Sequence, residues 1–513
     1  MTRPERQTGV EPPSGGVFDP GLKGTQARRP EEAGTQEAVR SLARRGVRVL
    51  LVRLFFVQAT SLAVGILLAR WLGPAPFGRL AIATAVVSVF NLVGDLGLGA
   101  ALIRKEGRAS DADLSAAFTV QMLAGCCVGT VVMVVGPGFQ RLVWESASGR
   151  WLLASVVLGT LILGPYRSVA TVALERDLRF ARISVIEIGE HLVYCAVALA
   201  LAYRGFGLEA LAGALVARTL AGVVLAASLA PWKPRLSLDV ARVRPLLGFG
   251  VSYQATAVVY LLNSLVAPLL VGRAVGDAGL GLVLWAQGNA ERLKPILDVI
   301  GRVSFPSYAR MGPTAEVLGA GLARTLHGSL LAIGLYGGVL AGTAPLAVSV
   351  LYTDRWLPGV PLLYVFLAVF PVAALTILLD VAFLARGDSG LVRNLHLFRA
   401  LLFWSVAVPA TQHWGAIGYA LAYGTSIAGF AVLEIACARR VLPILASLRV
   451  ALGPILAMVT AVGAGRACME MARLTPVPLL LFSAAAAGLA YLAALLAFDA
   501  RRVRVTVTSF WKS

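Results

Sequence analysis

The chain has 513 residues, of which 58% are hydrophobic and 14% charged, and its mean hydropathy is +0.78. A water-soluble protein of this length needs far more polar surface, so the composition excludes a soluble fold. The net charge of +19 does not indicate a nucleic-acid partner, because the basic residues lie in short segments between apolar runs and not in one patch.

The first element in chain order is a polar tail at residues 1–46. It is rich in proline, glycine and charged residues and has almost no apolar clusters, which predicts a disordered cytoplasmic segment. It also lacks the apolar core of a signal peptide, so we expect the first spanning helix to act as its own uncleaved insertion signal.

Apolar runs long enough to cross a bilayer then recur about fourteen times. Each is near or above the roughly 20 residues that a helix needs to cross about 30 Å of hydrocarbon, and backbone in lipid must be paired. We therefore predict an all-α membrane protein, with helices near 47–72, 76–100, 112–136, 150–173, 183–204, 208–230, 243–271, 277–303, 323–350, 360–386, 392–410, 415–438, 446–466 and 475–498.

An internal repeat relates residues 67–83 to residues 270–286. Six of the seventeen aligned positions are identical: Leu67/Leu270, Arg70/Arg273, Gly73/Gly276, Ala75/Ala278, Gly78/Gly281 and Ala83/Ala286. Six predicted helices separate the copies, which gives both the same orientation and predicts two parallel, pseudo-symmetric six-helix bundles. We expect these lobes at 47–230 and 231–440, and a terminal helix pair with a short basic cytoplasmic tail at 441–513.

The basic residues between the helices predict the orientation of the chain. With the N-terminus in the cytoplasm, the inner connections hold 22 basic residues and the outer connections hold 9. Basic residues are enriched in cytoplasmic loops, and an even number of helices agrees with this bias. We expect both termini in the cytoplasm.

A stripe of polar residues marks the predicted helix at 277–303. Gln287, Glu291, Lys294 and Asp298 are spaced four, three and four residues apart, which places them on one narrow helix face. Pro295 lies within the stripe and is expected to kink the helix. The stripe is interpreted either as the wall of a polar cavity or as an internal ion-pair ladder that holds the bundles together.

Three arginines within predicted spanning helices are candidate site residues. Arg218 is near the middle of its helix and has no acidic residue within one turn, so it needs a distant partner or an anionic ligand. Arg53 and Arg167 lie nearer the inner ends, where snorkelling to the headgroups and a role in substrate binding are both open.

Carboxylates and amides at membrane depth are the other candidate site residues. Glu187, which shares a helix face with Glu190 and His191, and Asp95 and Asp380 could bind a proton or a cation, or could be buried partners of the arginines. Glu187, Asp298 and Asp95 are the candidates for coupling to a proton or sodium gradient. Gln58 and Gln254 could hydrogen-bond a sugar or pair across helices.

No cofactor or metal is expected, because the five cysteines and four histidines show no metal-ligand spacing and no phosphate-binding loop is present.

Three segments carry a family resemblance. Residues 67–106 contain Arg70, Leu-Gly-Pro at 72–74, Phe-Gly at 77–78 and Asp-Leu-Gly at 95–97. Residues 174–190 contain an Arg-Asp-x-x-Phe-Arg-like segment, and residues 300–311 contain Arg-Val-x-Phe-Pro. Together they resemble the polysaccharide-transport branch of the superfamily of multidrug extruders, oligosaccharidyl-lipid flippases and polysaccharide exporters.

The resemblance implies fourteen helices and the movement of an undecaprenyl-diphosphate-linked oligosaccharide across the bacterial plasma membrane for surface polysaccharide biosynthesis, such as lipopolysaccharide or exopolysaccharide. It implies membrane lipids, glycosyltransferases and a polysaccharide polymerase as pathway partners, proton or sodium coupling, and no enzymatic activity. Relatives tend to have a basic cavity between the lobes, which agrees with Arg218 and Lys294. A cation-coupled multidrug antiporter of the same fold is the alternative. A membrane-embedded transferase is disfavoured, because no connection after the tail forms a large polar loop.

Overall fold

The computed structural model describes residues 52–82, 85, 96–105, 110–143, 163–177, 179–310, 315–440 and 448–512. The first half of the chain forms α1 (Val52–Leu72), α2 (74–82), α3 (Leu98–Arg104), α4 (Asp111–Val143), α5 (Gly164–Arg176), α6 (Phe180–Tyr203) and α7 (Leu208–Leu229). The second half forms α8 (Val240–Ala290), α9 (Lys294–Arg310), α10 (Ala315–Ala347), α11 (Val360–Ala385), α12 (Ser389–Ala438), α13 (Leu452–Met471) and α14 (Pro476–Lys512).

The all-α membrane class is confirmed. Ten helices in the described part of the chain are long and apolar enough to cross a membrane, and many of their large apolar side chains are exposed, as lipid contact requires. The helix α12 has 50 residues and breaks at Gly415, which separates the two predicted helices at 392–410 and 415–438. Parts of the predicted helices at 76–100 and 150–173 lie outside the described residues, and the predicted count of fourteen stays a prediction.

The prediction of one continuous helix at 277–303 is wrong, because the structure interrupts it. The sequence predicts a single helix at 277–303, but α8 ends at Ala290, a turn occupies 291–293, and α9 begins at Lys294. Pro295 explains the break, because it has no N–H to donate to the carbonyl of Glu291 and its ring would clash with that carbonyl in a continuous helix. Proline is well tolerated in the first turn of a new helix, where Pro295 lies.

The two copies of the repeat have the same local backbone. Gly73 lies between α1 and α2 with a φ of 75°, and Gly276 interrupts α8 with a φ of 72°. Both values fall in the left-handed region, which a side chain disfavours, so glycine is needed at the same position of each copy.

The copies also pack directly on each other. A Cβ atom added at Gly78 would overlap the carbonyl oxygen of Asp277, and one added at Gly281 would overlap the carbonyl oxygen of Pro74. Because Pro74 aligns with Asp277 and Gly78 with Gly281, the contact is reciprocal. Arg79 Nε also lies 2.6 Å from Asp277 Oδ2 across the same contact. We call these five residues the repeat contact.

The two largest apolar cores among the described residues bring helices of both predicted lobes together. The larger core joins α1 and α2 to α8, α10, α11 and α12, and includes the fully buried Trp356, whose indole N–H donates to Ala69 O at 3.1 Å. The second core lies among α3 to α7. It also holds Trp232 and Leu246, which the sequence places in the second lobe, so the predicted lobes meet here as well.

The terminal helices pack closely on α10. Gly338 and Gly342 of α10 face backbone atoms of α13, and the absence of side chains at these glycines allows the two helices to approach each other. The hydroxyl of Tyr491 on α14 donates to Leu331 O at 2.8 Å, and His327 Nε2 lies 2.7 Å from Asp499 Oδ2, with both side chains buried. The terminal pair is therefore fixed to the second lobe.

Candidate functional site

A layer of polar side chains joins α1 to α6 at membrane depth. Arg53 forms an ion pair with Glu187, and two turns further along α1 the Thr60 hydroxyl lies 2.8 Å from His191 Nε2. Ser61 Oγ lies 3.4 Å from the same nitrogen. These contacts join two positions of α1, two turns apart, to two positions of α6, one turn apart. We call these five residues the α1–α6 polar layer.

Arg218 of α7 lies beside this layer. Its side chain is exposed, and it is close enough to His191 and Tyr194 on α6 to act on both electrostatically. An exposed guanidinium next to polar side chains can bind an anion through charge-assisted hydrogen bonds. The structure therefore places Arg53, Glu187 and Arg218, three of the predicted site residues, in one region.

Arg167 is bound within the protein. Its Nε and Nη2 atoms donate to the two carboxylate oxygens of Glu190 at 2.7 and 3.1 Å. Glu190 is buried and packs on Gly222 of α7, where a Cβ atom would overlap its Oε1. This bidentate pair connects α5 to α6 and α7, and the Arg167 Nε and Nη2 atoms are already bound within the protein.

The predicted stripe is divided between two helices. Gln287 Nε2 and the Tyr423 hydroxyl both donate to Glu291 Oε1, at 2.9 and 2.7 Å. Lys294 Nζ lies 3.8 Å from Glu291 Oε2, and its side chain is 51% exposed. Asp298 is exposed on α9. Glu291 is thus the centre of a hydrogen-bonded group, but the four residues do not form one continuous helix face.

Besides Arg167, Arg218 and Asp298, three predicted site residues belong neither to the α1–α6 polar layer nor to the group around Glu291. Gln58 is partly exposed on α1, and Gln254 belongs to α8, although its side chain is outside what the structure describes. Asp95 lies outside the described residues.

A cleft lies between the predicted lobes, and none of its lining residues was predicted as a site residue. It has a volume of about 410 Å³ and is lined by Ala101, Lys105, Asp113, Ala241, Arg242, Pro245 and Leu246. Asp113 is buried, and its oxygens lie 2.6 Å from Lys105 Nζ and 3.3 Å from Arg242 Nη1. The sequence signal was weak, because Asp113 precedes Arg242 by more than a hundred residues and only the fold brings them together.

The long apolar helices and the charged groups at membrane depth define a multi-pass membrane protein. Residues 67–361, more than half of the chain, match the family model Polysacc_synt_3, described as "Polysaccharide biosynthesis protein". The chain belongs to this family, as its three sequence segments suggest.

The chain is similar to curated relatives from three bacteria. It is 25% identical over 54% of its length to the teichuronic acid biosynthesis protein TuaB of Bacillus subtilis (strain 168), and that alignment covers 57% of TuaB, less than two thirds of it. It is 22% identical over 73% of its length to the lipopolysaccharide biosynthesis protein WzxC of Escherichia coli (strain K12), with 75% of WzxC covered. The succinoglycan biosynthesis transport protein ExoT of Rhizobium meliloti (strain 1021) is 23% identical over 70% of the chain and 71% of ExoT.

The fold is similar to those of solved transporters. The lipid II flippase MurJ in an inward closed conformation superposes with a TM-score of 0.69 and 13% identity, covering 87% of this chain and 98% of MurJ. An inward-facing multidrug resistance transporter of the MATE family superposes with a TM-score of 0.55 and 13% identity, covering 77% of this chain and 97% of that protein. At these identities the comparison defines the fold alone.

Proposed function

We propose that this protein is a flippase that moves an undecaprenyl-diphosphate-linked oligosaccharide across the bacterial plasma membrane for surface polysaccharide biosynthesis. The proposal is supported by membership of the polysaccharide biosynthesis family and by relatives named for lipopolysaccharide and succinoglycan pathways. Both termini would be cytoplasmic, and the protein would act between glycosyltransferases that assemble the unit and a polymerase that extends it.

The physical task of such a protein is to carry a diphosphate and a hydrated glycan past about 30 Å of hydrocarbon while the lipid tail stays in the bilayer. Burying a diphosphate without counter-charges is costly, so the path must offer cations and hydrogen-bond donors. The observation that carries the proposal is the α1–α6 polar layer with the exposed Arg218 beside it.

Arg218 and Lys294 would bind the diphosphate, because both are exposed cations. Arg53 would contribute if its pairing with Glu187 opens during transport. The hydrogen-bonded group around Glu291, with Gln287 and Tyr423, would bind glycan hydroxyls. Lobes at 47–230 and 231–440 would open alternately to the two sides of the membrane.

Carboxylates at membrane depth would couple the movement to a proton or sodium gradient. Among the predicted coupling residues that the structure describes, Glu187 forms an ion pair with a candidate substrate-binding residue, Arg53. Binding of a cation at Glu187 would release Arg53 toward the diphosphate, which gives a simple link between the gradient and the substrate.

The test is to delete the gene and extract the lipid-linked intermediates from the cells. We expect complete oligosaccharide units to accumulate on the cytoplasmic side, protected in intact cells from a glycosidase that cannot cross the membrane. The wild-type gene should restore surface glycan. Normal surface glycan combined with altered sensitivity to toxic compounds would overturn the proposal in favour of a multidrug antiporter, whose fold this chain shares.

A further inference from the structure

A second group of titratable side chains lies where the end of α11 meets both ends of α12. His396 Nε2 lies 2.9 Å from Asp380 Oδ2. The other carboxylate oxygen, Asp380 Oδ1, is buried and accepts no hydrogen bond from the described residues. Asp380 is also within hydrogen-bonding reach of Glu434, near the end of α12. None of these three residues belongs to the α1–α6 polar layer or to the group around Glu291.

Glu434 has the most enclosed carboxylate of this group. The residue is 0% exposed, and no donor in the described part of the chain reaches either of its carboxylate oxygens. Arg399 acts on Glu434 electrostatically, but its guanidinium lies over the Phe430 ring, 5.3 Å from the ring centre, and makes no hydrogen bond to Glu434. Cys437 is the remaining titratable neighbour.

Two adjacent carboxylates in a buried site cannot both be ionised, because each disfavours the charge of the other and burial disfavours both. A single proton resolves this, since it gives one carboxyl an O–H that donates to the other. We infer that Asp380 and Glu434 form a proton-binding site that holds one shared proton, and that His396 exchanges this proton with water.

The exposed fractions of the three side chains support a proton path from His396, the most exposed, through Asp380 to the buried Glu434. Glu434 is 0% exposed, the Asp380 side chain is 18% exposed and the His396 side chain is 36% exposed. Water would first protonate the His396 ring, and the resulting imidazolium would pass its Nε2 proton to Asp380 Oδ2 and return to the neutral ring. The Asp380 carboxyl would then share this proton with Glu434. Only N–H and O–H bonds form and break, and the proton returns to water by the reverse path.

The site is connected to the group around Glu291 by one helix face. Tyr423 and Glu434 are eleven residues apart on α12, about three turns, and therefore lie on the same side of the helix. The Tyr423 hydroxyl donates to Glu291 Oε1. A proton gained or lost at Glu434 can thus alter α12 where it contacts the candidate glycan-binding group. This coupling role rests on the proposed function, whereas the proton site itself does not.

The proton site is tested by infrared spectroscopy on the full-length protein in lipid, titrated from acidic to alkaline pH without substrate. We expect a carbonyl band of a protonated carboxyl group that Glu434→Gln removes. Asp380→Asn should remove it too, because its amide N–H can donate to an ionised Glu434. Asp388→Asn is the control, since Asp388 is ion-paired with Arg386 near the start of α12. A wild-type protein without this band at any pH, or an unchanged band in both variants, would overturn the inference.

The coupling of this proton site to transport is tested separately, by complementation of the deletion strain. At equal membrane levels, Glu434→Gln and Asp380→Asn should each lower surface polysaccharide at least tenfold, and Asp388→Asn should not. Full complementation by a variant that lacks the infrared band would exclude coupling at this site. A deletion strain that accumulates no lipid-linked intermediate would instead refute the flippase function and leave the proton site standing.

Discussion

Arg218 gives the sharpest test of a single residue, because its side chain is exposed beside the α1–α6 polar layer. Replacing it by alanine removes at least one charge-assisted hydrogen bond to a diphosphate, worth about 1.5 kcal/mol or about tenfold in affinity. We expect Arg218→Ala to lower transport by at least this factor. Arg218→Lys should retain part of the activity, because it keeps the charge but loses the planar fork. The measurement is the rate at which surface glycan reappears after induction of each variant in the deletion strain.

A control variant shows whether the effect on transport is specific to Arg218. Arg204→Ala removes an exposed arginine just after α6 and should leave transport unchanged. Full activity of both Arg218 variants would remove this residue from diphosphate binding.

Arg167 and Glu190 are expected to affect stability more than transport. Arg167→Ala leaves a buried carboxylate without its bidentate partner and should destabilise the protein by about 3 kcal/mol, the low end for a broken buried pair, because Arg167 is partly exposed. The measurement is the thermal unfolding midpoint in detergent. The double variant Arg167→Met/Glu190→Met should recover much of the loss, because it removes both charges together. Glu209→Gln, at an exposed carboxylate in the first turn of α7, is the matched control and should unfold as the wild type does.

At the scale of the helices, the repeat contact depends on two glycines. Gly78→Ala or Gly281→Ala places a methyl group against a backbone carbonyl that cannot move aside easily, so the two copies should separate. With the native cysteines replaced, Arg79→Cys and Asp277→Cys should be joined by a short bifunctional thiol reagent in the parent protein and much less in either glycine variant. Gly65→Ala on α1 has open space around its added methyl group and should leave cross-linking intact. Equal cross-linking in all variants would mean that the contact tolerates a methyl group.

The repeat and the spanning helices could be predicted from the sequence, whereas the turn at 291–293 could not. Gly73 and Gly276 occupy equal positions in two recognisable segments, so comparing the chain with itself was enough to find the repeat. Spanning helices were predictable because lipid imposes one backbone structure on a long apolar run. The turn at 291–293 was missed because the effect of Pro295 depends on whether neighbouring helices accommodate a kink or a complete break.

The side-chain groups were predictable only where their members share one helix. Glu187 and His191 are four residues apart, and their common face could be deduced from the sequence. The Asp380–Glu434 pair joins different helices, and sequence spacing does not say which helix faces meet. For the same reason, the pairing of Asp113 with Arg242 could not be predicted from the sequence.

For the whole molecule, the cleft around Asp113 is expected to control access between the lobes. Asp113 pairs with Lys105, which belongs to the same predicted lobe, and with Arg242 at the start of α8, which belongs to the other. Asp113→Asn therefore weakens a connection between the two lobes. In inverted membrane vesicles, a thiol reagent that cannot cross the membrane should label Ala101→Cys, at a buried residue that lines the cleft, several-fold faster when Asp113→Asn is also present. Asp239→Asn is the control. Asp239 pairs with the same Arg242, but both residues belong to the second predicted lobe, so this pair does not join the lobes. Unchanged labelling would show that the pairing does not hold the cleft closed.

The reciprocity of the repeat contact has a consequence for the history of the chain. When residue i of one unit meets residue j of another and j meets i in return, the interface is isologous, the type formed by two identical subunits around a twofold axis. Gly78 with the carbonyl of residue 277, and Gly281 with that of residue 74, meet this criterion within a single polypeptide. The contact therefore has the symmetry that duplication and fusion of one self-associating subunit would produce. In such an arrangement each half can carry its own polar residues, as Arg218 and Glu434 do here, while close approach at the shared surface requires glycine in both halves.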